Sequence, residues 1–207
     1  MRFKSLEQLQ KWQAQAKAQP QTVSKVGKDA EIKQIDPNVQ RRILGVDTAL
    51  RCTGWGMIDV MGNAMKAVDC GVIRNSPKLK ISECLKNLAG GIRELVLLYH
   101  PDIAVLEGAF FFENVRTAMM LGSARGAVIS TLAENNVTMY EYAPRRIKQA
   151  VCGNGSASKR QVAILVSQFL NIRTDQFALD ATDALSMAIC HALELTTVGG
   201  VALPDEI

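Results

Sequence analysis

Two short apolar runs in this chain each end on a carboxylate: Ile43-Leu44-Gly45-Val46-Asp47 and Ile103-Ala104-Val105-Leu106-Glu107. Runs of this length read as buried strands, which sets each acid at the mouth of a sheet. An isolated carboxylate there loses its hydration and needs a cation to compensate. Asp180 and Asp183 stand three residues apart at the start of the apolar helix Ala184-Leu185-Ser186-Met187-Ala188-Ile189, so both project from one face. Four carboxylates from three distant segments can therefore converge. The five cysteines are never closer than 14 residues, and His100 and His191 are the only histidines, so neither a CxxC pair nor a Cys/His cage forms. The cysteines read as free buried thiols. A metal at the acids would be held by oxygen, which points to magnesium or manganese.

Around these acids the pattern gives strands over 43–47, 54–60 and 64–74, an antiparallel meander. A helix from about 78 to 99 runs through Ile81, Leu85, Leu88, Ile92 and Leu95 and is stopped by Pro101. A strand at 103–106, a helix at about 114–134, a strand at 137–142 and helices at 158–170 and 180–195 complete the order βββαβαβαα.

At 207 residues, 48% hydrophobic and 21% charged, the composition fits one soluble domain with an appended segment. No window reaches the roughly 18 apolar residues of a membrane helix, and the start lacks the apolar core of a secretory signal. The expectation is a cytoplasmic protein of bacterial type, with no membrane partner. The net charge of +4 is uneven. Residues 1–42 hold nine Lys and Arg against four acids and contain eight glutamines, whereas 43–207 hold fifteen against sixteen. Three parts follow: a basic Gln-rich arm at 1–41, a domain at 42–197 and a tail at 198–207. The arm reads as partly helical, with Ser5 and Gln8 as capping residues and Leu6, Leu9 and Trp12 as a narrow stripe. A transit peptide fits poorly with its glutamines and acids.

Taken singly, each acid has a structural reading. Asp180 can cap its helix and Asp183 can favour its first turn. Glu107 can form a strand-end ion pair, and Asp47 can open a phosphate-binding hairpin like that of actin-type kinases. Jointly, the order first strand, fourth strand, last helix is what a ribonuclease H-like nuclease core requires. That core is an α/β fold with a mixed five-stranded sheet flanked by helices.

Over about residues 42–195 the chain resembles the RuvC Holliday junction resolvases. The matching stretches are Leu44-Gly-Val-Asp47, Arg51-Cys-Thr-Gly-Trp-Gly56, Cys70-Gly-Val-Ile-Arg74, Tyr99-His-Pro-Asp102, Leu106-Glu107, Phe110, Asn114 and Leu121-Gly-Ser-Ala-Arg-Gly126. They continue with Glu141-Tyr-Ala-Pro-Arg145, Lys148, Gly153-Asn-Gly-Ser-Ala157, Lys159, Asp180-Ala-Thr-Asp183 and Ile189-Cys-His191. The chain departs from the family at Thr48-Ala49, where Pro-Gly is usual, at Glu113, and in having three phenylalanines at 110–112.

The resemblance implies a magnesium-dependent endodeoxyribonuclease that resolves four-way junction DNA by paired nicks in recombination and repair, with two ions per site and manganese as a substitute. Asp47, Glu107, Asp180 and Asp183 are then the catalytic metal ligands. Lys159 would stabilise charge on the phosphate or assist proton transfer; its structural reading is a solvated helix start. DNA contacts fall to Phe110, Arg116, Arg145, Lys148, Lys159 and Arg160, with Phe110 stacking on bases unpaired at the junction centre. Residues 142–174 hold no acid but include Arg145, Arg146, Lys148, Lys159, Arg160 and Arg173, a positive stretch suited to phosphates. Gly153-Asn-Gly-Ser-Ala157 lets backbone amides approach phosphates, or is an ordinary turn. Small residues at 122, 123, 124, 126 and 127 allow a close helix approach, against a second copy or against the chain's own sheet. The resemblance also implies a homodimer, and a RuvA/RuvB-type branch-migration complex stands as a candidate partner. The rivals are a junction-binding protein that no longer cuts and an actin-like phosphotransferase. The second needs an Asp-Gly-Gly loop, which this chain lacks.

Overall fold

The structure is a computed structural model and describes residues 39–108, 114–196 and 203–207. Its elements are β1 (Arg41–Asp47), β2 (Cys52–Met61), β3 (Ala64–Arg74), α1 (Ile81–Tyr99), β4 (Ile103–Glu107), α2 (Val115–Glu134), β5 (Thr138–Tyr142), α3 (Pro144–Cys152), α4 (Lys159–Leu170), a 3-10 turn (Thr174–Gln176) and α5 (Leu179–Thr196). The sheet order is β3-β2-β1-β4-β5. The first three strands are antiparallel, while β4 runs parallel to both β1 and β5. Sheet and meander are those read from the sequence.

One element was missed. The order after β5 is three helices, because α3 fills what reads as loop. Pro144 sits at its first position, where a fixed φ and a missing N–H cost nothing. Gly153 closes it with φ 69°. Ile147 and Val151, four apart, are its buried residues, and its nine residues are shorter than the window in which a helical period is read. The other helix ends follow local signals. Asn114 accepts hydrogen bonds from the amides of Arg116 and Thr117 at the start of α2, Ser158 caps α4, and His100 ends α1 in the left-handed conformation just before Pro101.

Strand parity builds two cores. Ile43 and β4 residues Ile103 and Val105 pack with α3, α4 and α5, whereas Leu44, Val46, Ala104 and Leu106 pack with α1 and α2. Successive side chains alternate between faces, so Asp47 and Glu107 fall on the α5 face. Helix α5 lies against β1 and β2 with its backbone almost on the sheet. A Cβ at Gly45 would stand 1.9 Å from the Ala184 carbonyl oxygen, and one at Gly54 2.0 Å from that of Asp180. Only glycine permits this seat.

All five cysteines are free, as expected. Cys84 and Cys190 are buried, but Cys52, Cys70 and Cys152 are half-buried, which corrects the expectation of buried thiols. The expected arm helix through Leu6, Leu9 and Trp12 lies outside the described residues. Glu206, in the tail, bridges antiparallel to Tyr140 on the free edge of β5, and the Ile207 amide donates to the Met139 carbonyl at 3.1 Å. Among the described residues no helix is long and apolar enough to cross a membrane.

Candidate active site

The parallel register that sets Val46 beside Leu106 brings the ends of β1 and β4 together, and with them Asp47 and Glu107. Helix α5 adds Asp180 and Asp183 from its first turns. It begins one residue before Asp180, so Asp180 is not the N-cap; the Ala178 carbonyl takes the first amides instead. One ligand oxygen each from Asp47, Asp180 and Asp183 lies within 4.8 Å of the others. Glu107 is not part of that trio but lies within electrostatic reach of Asp47 and Asp183.

Burial, then Glu107, Asp183 and Asp180, push the Asp47 carboxyl up to about 7 against the opposing pull of Lys159. Burial and Asp183 likewise raise Glu107, while Lys159 and Lys148 hold it down. Carboxylates crowded into a half-buried mouth are short of positive charge, and hard oxygen donors suit a hard divalent ion. The residues present fit such an ion. Lys159, the first residue of α4, supplies one cation through a 2.5 Å ion pair with Asp183, which raises its own pKa. Lys159 is an exposed helix start, as its structural reading has it, and its ammonium also reaches the acids.

The turn after Asp47 is closed without Pro-Gly. The Thr53 hydroxyl donates to the Ala49 carbonyl at 2.5 Å and receives the Ala49 amide at 3.2 Å. Asn75, buried, donates to the Leu50 carbonyl at 2.8 Å. The Cys52 thiol donates to Asp180 Oδ2 at 3.0 Å, a contact that sequence reading did not anticipate.

The basic stretch at 142–174 is less available than its composition implies. Arg146 forms a two-pronged ion pair with Glu194 at 2.7 and 2.8 Å and lies over the Tyr142 ring, and Arg173 pairs with Asp175. Both acids stand beyond the acid-free window. Arg145 packs over Gly155, where a Cβ would meet its Cγ at 2.5 Å. Arg116, Arg145 and Arg160 are exposed, and Lys148 is half-buried near Glu107. Phe110, Phe111, Phe112 and Glu113 lie outside the described residues.

Sequence reading also gave no role to Arg125 and Glu141, which form an ion pair beside Glu107. The signal was present: Glu141 is a third acid near the end of a strand, and Arg125 is a lone cation within a run of small residues.

This sheet order, with acids at the ends of the first and fourth strands and on a helix laid across them, defines a ribonuclease H-like nuclease core. The family model for crossover junction endodeoxyribonuclease RuvC matches residues 43–191. The RuvC endonuclease of Burkholderia ambifaria is 42% identical over 160 residues, covering 77% of this chain and 86% of the relative. That of Roseiflexus sp. is 40% identical over 150 residues, covering 72% and 89%. Among solved structures, T. thermophilus RuvC in complex with Holliday junction substrate is 27% identical with a TM-score of 0.71, covering 75% of this chain and 95% of that one. The chain belongs to the RuvC family of crossover junction endodeoxyribonucleases, whose members depend on divalent metal ions.

Proposed function

We propose that this chain resolves Holliday junctions by paired magnesium-dependent nicks, acting as a homodimer, with residues 42–197 as the nuclease domain. The observation that carries the chemistry is the convergence of Asp47, Asp180 and Asp183 within 4.8 Å, with Lys159 bonded to one of them. Asp47, Asp180 and Asp183, with Glu107 beside them, would hold the magnesium ions, which supply a nucleophilic water and neutralise the leaving oxyanion. The hydrogen bond to Asp183 favours the charged form of Lys159 and raises its pKa further above the ordinary lysine value. As a cation beside the acids it is suited to charge stabilisation at the scissile phosphate.

Cations in the first turn of a helix oppose its dipole. Arg116 in α2, Arg145 in α3, and Lys159 and Arg160 in α4 all occupy such positions, which supports a role on phosphates for them; Lys148, half-buried near Glu107, would join them. Phe110 is proposed to stack at the junction centre. The homodimer finds support in α2, where a Cβ at Gly122 or Gly126 would meet nothing within 4 Å and Val115 and Met119 are exposed. Gly122 and Gly126 are thus open on the outer side of the helix, whereas Ala124 of the same run is buried against the chain's own core. A C2 pair presents two equivalent sites to two strands.

The test is cleavage of a mobile synthetic four-way junction with and without magnesium. Asp47→Asn, Glu107→Gln, Asp180→Asn and Asp183→Asn are each expected to lose cleavage by at least about 100-fold while still retarding the junction on a gel. Full cleavage without divalent ions, or by two of the four variants, overturns the assignment.

A further inference from the structure

Glu107 is the last residue of β4, where the sheet no longer fixes both sides of the strand. Its carboxylate must nonetheless be placed to within a fraction of an ångström to share a metal site with α5. We infer that Arg125 is a positioning residue for Glu107, set by Glu141. The inference rests on the reading of Glu107 as a metal ligand.

The geometry is specific. Arg125 Nη1 donates to the Glu107 carbonyl oxygen at 2.8 Å, while Nη2 is paired with Glu141 Oε2. On the far side of the same peptide unit, the Gly108 amide donates to the Tyr142 carbonyl at 2.8 Å. The peptide that follows Glu107 is thus held at both of its polar atoms. That fixes the backbone torsion at Glu107 and the direction in which its side chain leaves the strand.

Arg125 is suited to this task. Its guanidinium offers two donors in a rigid fork, one for the carbonyl and one for the carboxylate, which a lysine does not. It stands on α2, anchored by buried Ala124 and Val128. Its side chain is only 15% exposed, so water does not readily replace it. Glu141 stands opposite Leu106 in the ladder and beside Gly108, where a Cβ would lie 3.0 Å from Glu141 Oε1. The acid at the end of β5 thereby aims Arg125 and does not join the metal site. It also links the α1 and α2 layer to a catalytic strand end on the opposite face of the sheet.

The test is calorimetric titration of Mn2+ into the DNA-free protein, together with its melting temperature, for wild type, E107Q, R125Q, E141Q and the E107Q/R125Q double variant. R125Q is expected to weaken Mn2+ binding by about 10- to 100-fold, as for other residues that orient a metal ligand. The double variant should bind no more weakly than E107Q alone, because Arg125 acts through Glu107. E141Q, which keeps the side-chain shape, should shift Mn2+ binding in the same direction and serves if R125Q fails to fold. If E107Q binds Mn2+ as wild type does, the ligand reading itself falls. If E107Q weakens binding and neither R125Q nor E141Q does, or if the losses add in full, the positioning role alone is overturned. A lowered melting temperature with unchanged Mn2+ affinity in R125Q likewise overturns it.

Discussion

Asp47, half-buried, and His191, fully buried, are titratable groups that bias stability in opposite directions. The Asp47 carboxyl, pushed up to about 7, compares with about 3.9 in an unfolded chain. Between those values the folded state holds the extra proton, so the contribution present below about pH 4 is lost as pH rises through 7. His191 is fully buried; its Nδ1 lies 2.8 Å from the Tyr142 hydroxyl, and its Nε2 has no hydrogen-bond partner among the described residues. Burial, with Arg41 nearby, lowers it to about 4, against about 6.5 unfolded. Its contribution is present above about 6.5 and lost as pH falls through 4. With divalent ions chelated, Asp47→Asn should melt several degrees above wild type at pH 8, for a term on the order of 2 kcal/mol. The gap should close below pH 4. His191→Gln should flatten the rise in melting temperature between pH 4 and 6.5. Scanning calorimetry across pH 4–8 checks both, and a D47N melting below wild type at pH 8 counts against a destabilising Asp47 charge.

Among the elements, the seat of α5 decides the site. Gly54→Ala places a methyl group 2.0 Å from the Asp180 carbonyl oxygen, so the helix must lift at the turn that carries the ligand. A shift of about 1 Å at a reacting group costs about 100-fold in rate, and cleavage should fall by that order. Gly90→Ala in α1, where a Cβ meets nothing within 4 Å, should instead stabilise by about 0.5–1 kcal/mol with cleavage unchanged. The helix starts yield a second prediction. Arg160→Ala relieves an unfavourable dipole contact and should raise stability by a few tenths of a kcal/mol, roughly. It should also lower junction affinity and reduce the slope of log affinity against log salt by about one. Unchanged affinity at low salt removes Arg160 from the DNA surface.

For the molecule as a whole, the proposed homodimer makes two-strand cutting depend on a second copy. Gly126→Leu adds bulk at an exposed position where a Cβ would meet no described residue within 4 Å, so the folded protomer should keep its melting temperature when measured dilute. Sedimentation should show a monomer, and junctions should be nicked on one strand without coordinated cutting of the other. A dimer that survives both Gly122→Leu and Gly126→Leu places the interface elsewhere.

Periodicity and order carried much of this protein. The apolar runs placed β1 and β4, the alternation of strand side chains put Asp47 and Glu107 on one face, and Asp180 and Asp183 at i and i+3 had to share a face of α5. These are local rules, readable within about ten residues. What only the tertiary structure decided was which charges are used and which are spent. Asp47, Asp180 and Asp183 come within 4.8 Å while Glu107 stands outside their trio, a separation set by helix α5 resting on Gly45 and Gly54. Glu141 is an acid at a strand end like the others, yet Arg125 takes it. Arg146 and Arg173 look like part of a phosphate surface, yet Glu194 and Asp175 neutralise them. Helix α3 shows its apolar spacing, Ile147 and Val151, over only nine residues, and is held by the pocket it fills. The reason is common to all of these: a carboxylate's partner is fixed by distances across the folded chain, and composition within a window does not encode those distances.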